Sequence, residues 1–226
     1  MPTATITVLD TVTRAEGDGW DGLRLGRPPF VPEVQLHLAD DAILLRARLE
    51  AQTGRSLPPP FWADAWIGGQ AVARHILDHP HLVAGRHVLD IASGSGLVAI
   101  AAALAGASSV TANDIDPFSL AAIELNARAN DVAVAVVEGD LLDGDGGTAD
   151  VVLAGDVFYD SEMADRMLGF IERVTARGAL VLVGDPGRDH LPSHRLHVVA
   201  GYSVTTAGAP QDAQFTRVEV LQPTRG

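Results

Sequence analysis

From His87 onward, short apolar runs take turns with alanine- and leucine-rich stretches of helical period. The runs are HVLDI (87–91), SVTAND (109–114), VAVAVVEG (132–139), VVLAGD (151–156) and ALVLVGD (179–185). Between them lie helical stretches at Leu97–Ala105, Pro117–Ala129 and Ser161–Arg177. Parallel strands need crossover connections, so this alternation predicts a parallel sheet with helices on both faces. The link from about Asp140 to Asp150 is short and polar, which predicts a reduced or missing helix there. After Pro186 the pattern changes. GYSVTTAG and FTRVEVLQ, separated by APQDAQ, read as an antiparallel pair closing one edge of the sheet. The expected fold class is therefore α/β, a seven-stranded Rossmann-like sheet, mostly parallel, with an antiparallel C-terminal hairpin.

Upstream of His87 the signals differ. Residues 1 to about 30 read as irregular, with Gly, Asp and Pro scattered through them. DDAILLRARLEAQTG reads as a helix started by Asp40 or Asp41 and stopped by Gly54. SLPPPFW is a stiff extended connector, and WIGGQAVARHILDH a second, amphipathic helix. This divides the chain into an N-terminal extension with one helix (1–60) and the α/β domain (61–226).

Composition narrows the partners. The chain of 226 residues has a formal charge of −13 and no run of basic residues, so it repels a phosphate backbone. Nucleic acid is not expected as a partner; a basic protein segment or a cationic small molecule is. No apolar run approaches the roughly 20 residues that cross a membrane. The N-terminus has neither the pattern of a secretory signal nor that of an arginine-rich transit peptide, which reads as a cytoplasmic protein. Cysteine is absent, which removes disulfides, thiolate metal sites and cysteine nucleophiles. Lysine is absent too; all 16 cationic side chains are arginine. His75, His79 and His81 lie close in sequence, but Pro80 breaks the helix between the last two, and no metal site is expected.

The stretch HVLDIASGSGLVAIAA (87–102) runs from a strand through a small-residue loop into a helix. Its GSGLVA segment matches G-x-G-x-x-A, a weak signal alone. Asp90, at the strand end, is more informative. A carboxylate there repels a pyrophosphate and suits a ligand that presents an ammonium group. S-adenosylmethionine presents one, and its sulfonium adds a second positive charge. Asp114, at the end of the second strand, is placed to accept from ribose hydroxyls, while Asp116 caps the next helix. Asp140, after the third strand, is assigned to the adenine amino group with Leu141 on the ring; an ordinary turn carboxylate is the plain alternative.

Asp90 to Gly96, NDIDP and GDLLD together resemble the cofactor motifs of the class I, seven-stranded methyltransferases. The resemblance assigns Ala92, Gly94 and Gly96 to the cofactor loop. Ala92 stands where that family usually has glycine, a departure that matters if the position needs positive φ. PFWADAWIGGQAVARHIL, GASSVTANDIDP, LAGDVFYD and VLVGDPGR narrow the resemblance to the lysine methyltransferases that modify the β subunit of electron transfer flavoprotein. A broader related group contains ribosomal protein L11 methyltransferases and nicotinamide N-methylase-like proteins. The resemblance implies transfer of a methyl group to a protein lysine, with the flavoprotein β subunit as leading substrate. L11, or a small heteroaromatic amine, is the alternative. A non-catalytic binding module would show erosion of the acids and glycines, and only Ala92 departs.

GDVFYD follows the fourth strand. Methyl transfer to an amine requires a neutral nitrogen in line with the methyl–sulfur bond, whereas free lysine has a pKa of about 10.4. Asp156 is the candidate to bind and orient that amine, with Tyr159 adding a hydroxyl or an aromatic wall. Phe158 reads as wall or as core. Trp66, Gly69 and Gln70 fall in the stretch resembling the family's cofactor-side entrance. Trp66 would pack on the cofactor, frame the lysine channel by cation–π attraction, or anchor the N-terminal helix to the sheet. Asp185 and Arg188, past the fifth strand, pair with each other or touch substrate and are left outside the catalytic set.

Overall fold

The computed structural model describes residues 23–205 and 215–224. Seven strands form one sheet: β3 (His87–Ile91), β4 (Ser109–Asp114), β5 (Ala135–Glu138), β6 (Val151–Gly155), β7 (Leu180–Asp185), β8 (Leu196–Thr205) and β9 (Phe215–Pro223). Their order is β5-β4-β3-β6-β7-β9-β8. The first five are parallel, and β9 runs antiparallel between β7 and β8. The order reverses at β3, so the crevice beyond the carboxyl ends of β3 and its neighbours is the topological switch point.

The helices form where their termini are signalled. In α1 (Ala42–Thr53) the Asp41 carboxylate accepts from the Ile43 and Leu44 amides, and Gly54 ends the helix at φ 68°. The next helix, α2, spans Ile67–Asp78, and α3 spans Leu97–Leu104. Pro117 opens α4 (Pro117–Ala129), where Asp116 accepts from the Phe118 amide. Asp160 caps α5 (Ser161–Ala176) in the same way.

Each face of the sheet has its own core. On one face α2, α3 and α4 bury Val72, Ile76, Ile100 and Ile123. On the other, α5 buries Met167, Phe170 and Ile171. Each of these large side chains contributes about 1.5–3 kcal/mol by leaving water.

Three features differ from the sequence reading. Residues 23–39 contain an antiparallel hairpin, β1 (Leu23–Gly26) with β2 (Leu36–Ala39), so the extension holds more than one helix. Val31, Val34 and Leu36 are fully buried in the main core, and Asn126 of α4 and Asn130, which caps its C-terminus, accept from the backbone amides of His37 and Gln35. β8 starts at Leu196, ahead of the expected Gly201. The APQDAQ turn and the N-terminal residues 1–22 lie outside the described residues. No helix among the described residues is long and apolar enough to cross a membrane.

The N-terminus of α2 lies directly on the sheet, backbone against backbone. A Cβ on Gly184 would stand 2.0 Å from the Gly68 carbonyl oxygen, and one on Gly155 would stand 2.6 Å from the Gly69 Cα. A Cβ on Gly68 would meet both the Gly184 carbonyl, at 2.3 Å, and the Asp156 carboxylate, at 2.6 Å. Only glycine fits at these places, and the close approach brings the α2 amides to the carboxyl ends of β6 and β7.

Candidate active site

The carboxyl ends of five parallel strands carry the charged residues: Asp90 on β3, Asp114 on β4, Asp140 after β5, Asp156 after β6 and Asp185 on β7. The loop after β3 is tightly wound, with Ala92, Gly94 and Gly96 all left-handed at φ 53°, 55° and 81°. Ala92 thus bears the strain its departure from glycine implies, since this region costs an L-residue about 1–2 kcal/mol. Gly96 is required for packing as well, because its Cβ would lie 3.3 Å from the Ile123 Cα.

Asp90 is only 1% exposed and lies beneath this loop. Its Oδ2 accepts from the Ser93 hydroxyl and from the Ala99 amide at 3.1 Å, so the carboxylate joins the loop to the start of α3. This loop-holding function corrects the sequence reading, which gave Asp90 to the ligand alone. Burial pushes the Asp90 carboxyl up to about 7, against the lowering by Ser93 and Ala99 and with a small raise from Asp114.

Asp114 receives the Gly94 amide on Oδ2 at 2.8 Å and the Asp116 amide on Oδ1 at 3.0 Å. Each oxygen keeps a lone pair for a further donor. Asp116 caps α4, as read from the sequence. Between them Ile115 is 70% exposed, an apolar side chain at the switch point that sequence reasoning passed over. Its signal was its position between two acids at a strand end.

Asp140 accepts from the Leu142 amide at 3.0 Å and pairs with Arg166 at 2.7 Å. Arg166 holds the Asp140 carboxyl below the usual range. Leu141 is half-buried against the α5-side core.

The WIGGQ segment divides differently from expectation. Gly69 donates its amide to Asp156 Oδ2 at 2.9 Å and belongs to the α2–sheet contact rather than to a ligand surface. Gln70 is buried; its Nε2 donates to the Ala65 carbonyl, while its Oε1 is buried without a hydrogen-bond partner among the described residues. Trp66 is half-exposed, donates its Nε1–H to the Phe61 carbonyl at 2.8 Å, and tilts against the exposed Phe61 ring at 5.9 Å. The residue stacked inside is Trp62, on Phe118.

Asp156 is the one aspartate of the site in a left-handed conformation, at φ 60°. Its amide donates to the Gly184 carbonyl at 2.8 Å, and its carboxylate is shared between the Gly69 amide and Arg188, whose Nη1 lies 2.7 Å from Oδ1. Burial raises the Asp156 carboxyl above its ordinary value, and Arg188 opposes the rise. Tyr159 is exposed, with its hydroxyl raised by partial burial and by Asp160 and Asp114. Phe158 is fully buried and belongs to the core, not to a wall. Among the described residues no group of His, Asp or Glu is arranged to hold a metal ion. Two open clefts among the described residues, of about 670 and 850 Å³, lie away from these acids, one lined by residues such as Arg86 and Thr175 and the other by residues such as Ser108 and Arg128.

A buried Asp90 carboxylate with no cation beside it among the described residues, a left-handed glycine loop and free lone pairs on Asp114 together fit a ligand rich in positive charge and hydroxyl donors. The strand order, the antiparallel β9 and the loop after β3 define the class I methyltransferase fold. The same fold occurs in precorrin-6y C5,15-methyltransferase from Geobacter metallireducens, with a TM-score of 0.52 at 19% identity over 69% of this chain and 88% of that one. Residues 75–174 match the family model of ribosomal protein L11 methyltransferase (PrmA). The chain is 40% identical to the electron transfer flavoprotein beta subunit lysine methyltransferase of Rattus norvegicus over 183 residues, 77% of this chain and 70% of that protein. Its Homo sapiens counterpart is also 40% identical, over 196 residues, 83% of this chain and 73% of that protein. The chain belongs to the family of electron transfer flavoprotein beta subunit lysine methyltransferases.

Proposed function

We propose that this chain transfers a methyl group from S-adenosylmethionine to a lysine amine of the electron transfer flavoprotein β subunit. The observation that carries the reading is the site at the end of β6, where Asp156 and Tyr159 lie beside the switch-point acids in a chain so similar to those relatives. When bound, S-adenosylmethionine supplies the electrophilic methyl group and a thioether leaving group. Asp114 accepts from the ribose hydroxyls, and Asp140 from the adenine amino group, with Leu141 and Ile115 against the ring. Asp90 acts through the loop it holds, as a negative charge beneath the methionyl ammonium.

The bound ammonium first loses a proton to water; the lone pair this frees would then form the new carbon–nitrogen bond as the methyl–sulfur bond breaks and its electrons stay on the sulfur. Asp156 attracts and orients the incoming ammonium. Its oxygens already hold two donors, so its contribution is charge and direction rather than proton abstraction. Tyr159, exposed and immediately before the α5 cap Asp160, forms the wall of the approach. Holding the nitrogen in line supplies several kcal/mol of the barrier reduction. A net charge of −13 favours a basic, lysine-bearing loop.

The test is to incubate the chain with radiolabelled S-adenosylmethionine and electron transfer flavoprotein from the same organism, then to map the product by mass spectrometry. The chain contains no lysine, so a methyl-lysine signal comes from the substrate. Label on a β-subunit lysine, lost in Asp156→Ala with cofactor affinity kept, is the expected result. No label on the β subunit, with label on L11 or on a heteroaromatic amine in parallel incubations, overturns the substrate assignment.

A further inference from the structure

Asp156 is held from three directions. The α2 N-terminus gives it the Gly69 amide, the β7 backbone accepts its own amide through Gly184, and the segment after β7 brings Arg188 onto its second oxygen. Arg188 reaches back because Asp185 fixes the turn: Asp185 Oδ1 accepts from the Gly187 and Arg188 amides, both at 2.7 Å. Gly187 completes the turn at φ 85°. The same guanidinium nitrogen then lies 2.7 Å from Asp156 and 3.4 Å from Asp185. Asp185 is fully buried and Asp156 nearly so, while the Arg188 side chain keeps 23% of its surface in solvent. One cation therefore stands between two buried carboxylates.

We propose that Arg188 is a positioning residue for the acceptor amine: it fixes the direction of the Asp156 carboxylate and leaves the Asp156–Arg188–Asp185 cluster with a net charge of −1. This rests on the reading of the β6 edge as the lysine site. A net charge of −1 matches one ammonium. Without Arg188 two buried carboxylates would face each other across the β6–β7 edge, and one would take up a proton. The proton would leave Asp156 unable to attract the ammonium at neutral pH, and its carboxylate would turn about the single remaining anchor at Gly69. Among the described residues the other elements packed there supply no replacement cation. The α2 N-terminus offers backbone amides only, β9 presents Glu219 opposite Asp185 with Arg217 already paired to that glutamate, and Tyr159 and Asp160 follow on the same loop.

The experiment compares wild type, Arg188→Gln and Arg188→Lys in methylation of the flavoprotein β subunit, with kcat and KM measured across pH 6 to 9. Arg188→Gln is expected to lose about 100-fold in kcat/KM. Its acid limb should move up by about one pH unit or more, as an uncompensated carboxylate pair requires. Cofactor affinity, read by calorimetry, should stay within a factor of about three, since Arg188 touches no cofactor residue. Arg188→Lys, which keeps the cation, should hold the acid limb in place and recover most of kcat/KM. A mere structural ion pair would alter melting temperature without moving the acid limb. Wild-type turnover with an unchanged kcat/KM and acid limb in Arg188→Gln overturns this inference alone. A wild type that labels no β subunit overturns the lysine-site reading and this inference with it. If Arg188→Gln does not fold, Arg188→Lys decides: an acid limb displaced as far as a lost cation requires overturns the proposal, and a limb in place with turnover near wild type supports it.

Discussion

Asp90 offers the sharpest test of the site's electrostatics. Burial raises its carboxyl from the ordinary 3.8 to about 7, so between those values the folded chain binds a proton that the unfolded chain releases. Stability contributed by that proton is complete below pH 3.8 and is lost as pH rises through 7. A shift of roughly three units corresponds to about 4 kcal/mol in all, of which about 2.5 kcal/mol falls between pH 5 and pH 8. Asp90→Asn keeps an acceptor for the Ala99 amide and cannot ionise. The difference in unfolding free energy between the variant and wild type, from urea titrations at each pH, should therefore grow by about 2.5 kcal/mol in favour of the variant from pH 5 to 8. Every other titrating group cancels in this difference. Saturating S-adenosylmethionine should shrink the pH dependence, because an ammonium above the loop favours the ionised carboxylate. A difference constant within about 0.5 kcal/mol over that range would refute the reasoning, since it would mean that Asp90 is already ionised, or solvated, beneath the loop.

Three further outcomes follow from local geometry. Ala92→Gly should raise the unfolding free energy by up to about 1 kcal/mol, the left-handed strain exceeding glycine's added chain entropy; chemical denaturation giving a lower value would show that Ala92 is unstrained. Gly184→Ala places a Cβ 2.0 Å from the Gly68 carbonyl oxygen and should cost at least about 3 kcal/mol by thermal melting, with turnover lost in step as α2 is pushed off the sheet. Asp140→Asn should weaken S-adenosylmethionine binding by about tenfold in calorimetry while changing stability by less than about 1 kcal/mol, its pair with Arg166 being an exposed one. Unchanged binding there would return Asp140 to an ordinary turn carboxylate.

What the sequence discloses and what it conceals divide along distance in the chain. Each acid of the site ends or follows a strand, and the strands are legible because period-2 or continuously apolar runs stand out between helices. Asp90, Asp114 and Asp116 could therefore be placed from local order alone, and the capping by Asp116 and Asp160 is a two- or three-residue pattern. β1 and β2 escaped because each is only four residues long, so the alternation in LRLG and LHLA is too brief to stand out among the Gly and Pro residues around it. The way Asp156 is held escaped for another reason. Its partners are Gly69, 87 residues earlier, and Arg188, 32 residues later, and no spacing rule joins positions so far apart.

The glycines make the same point with more consequence. WIGGQ reads as the start of a helix, and by resemblance Gly69 and Gln70 lie at the cofactor-side entrance, yet the partners of the two glycines are Gly155 and Gly184 on the sheet. Four glycines from three segments form one contact, and each is explicable only by the others. That contact also sets the chemistry. It lets the α2 N-terminus come near enough for the Gly69 amide, at the positive end of the helix dipole, to hold the Asp156 carboxylate. Packing and function are therefore coupled at this edge: a substitution that lifts α2 from β6 and β7 removes a donor from Asp156 at once. Loss of acceptor orientation should appear at smaller displacements than loss of the core, which on this face is still closed by Val72 and Ile76 further along the helix.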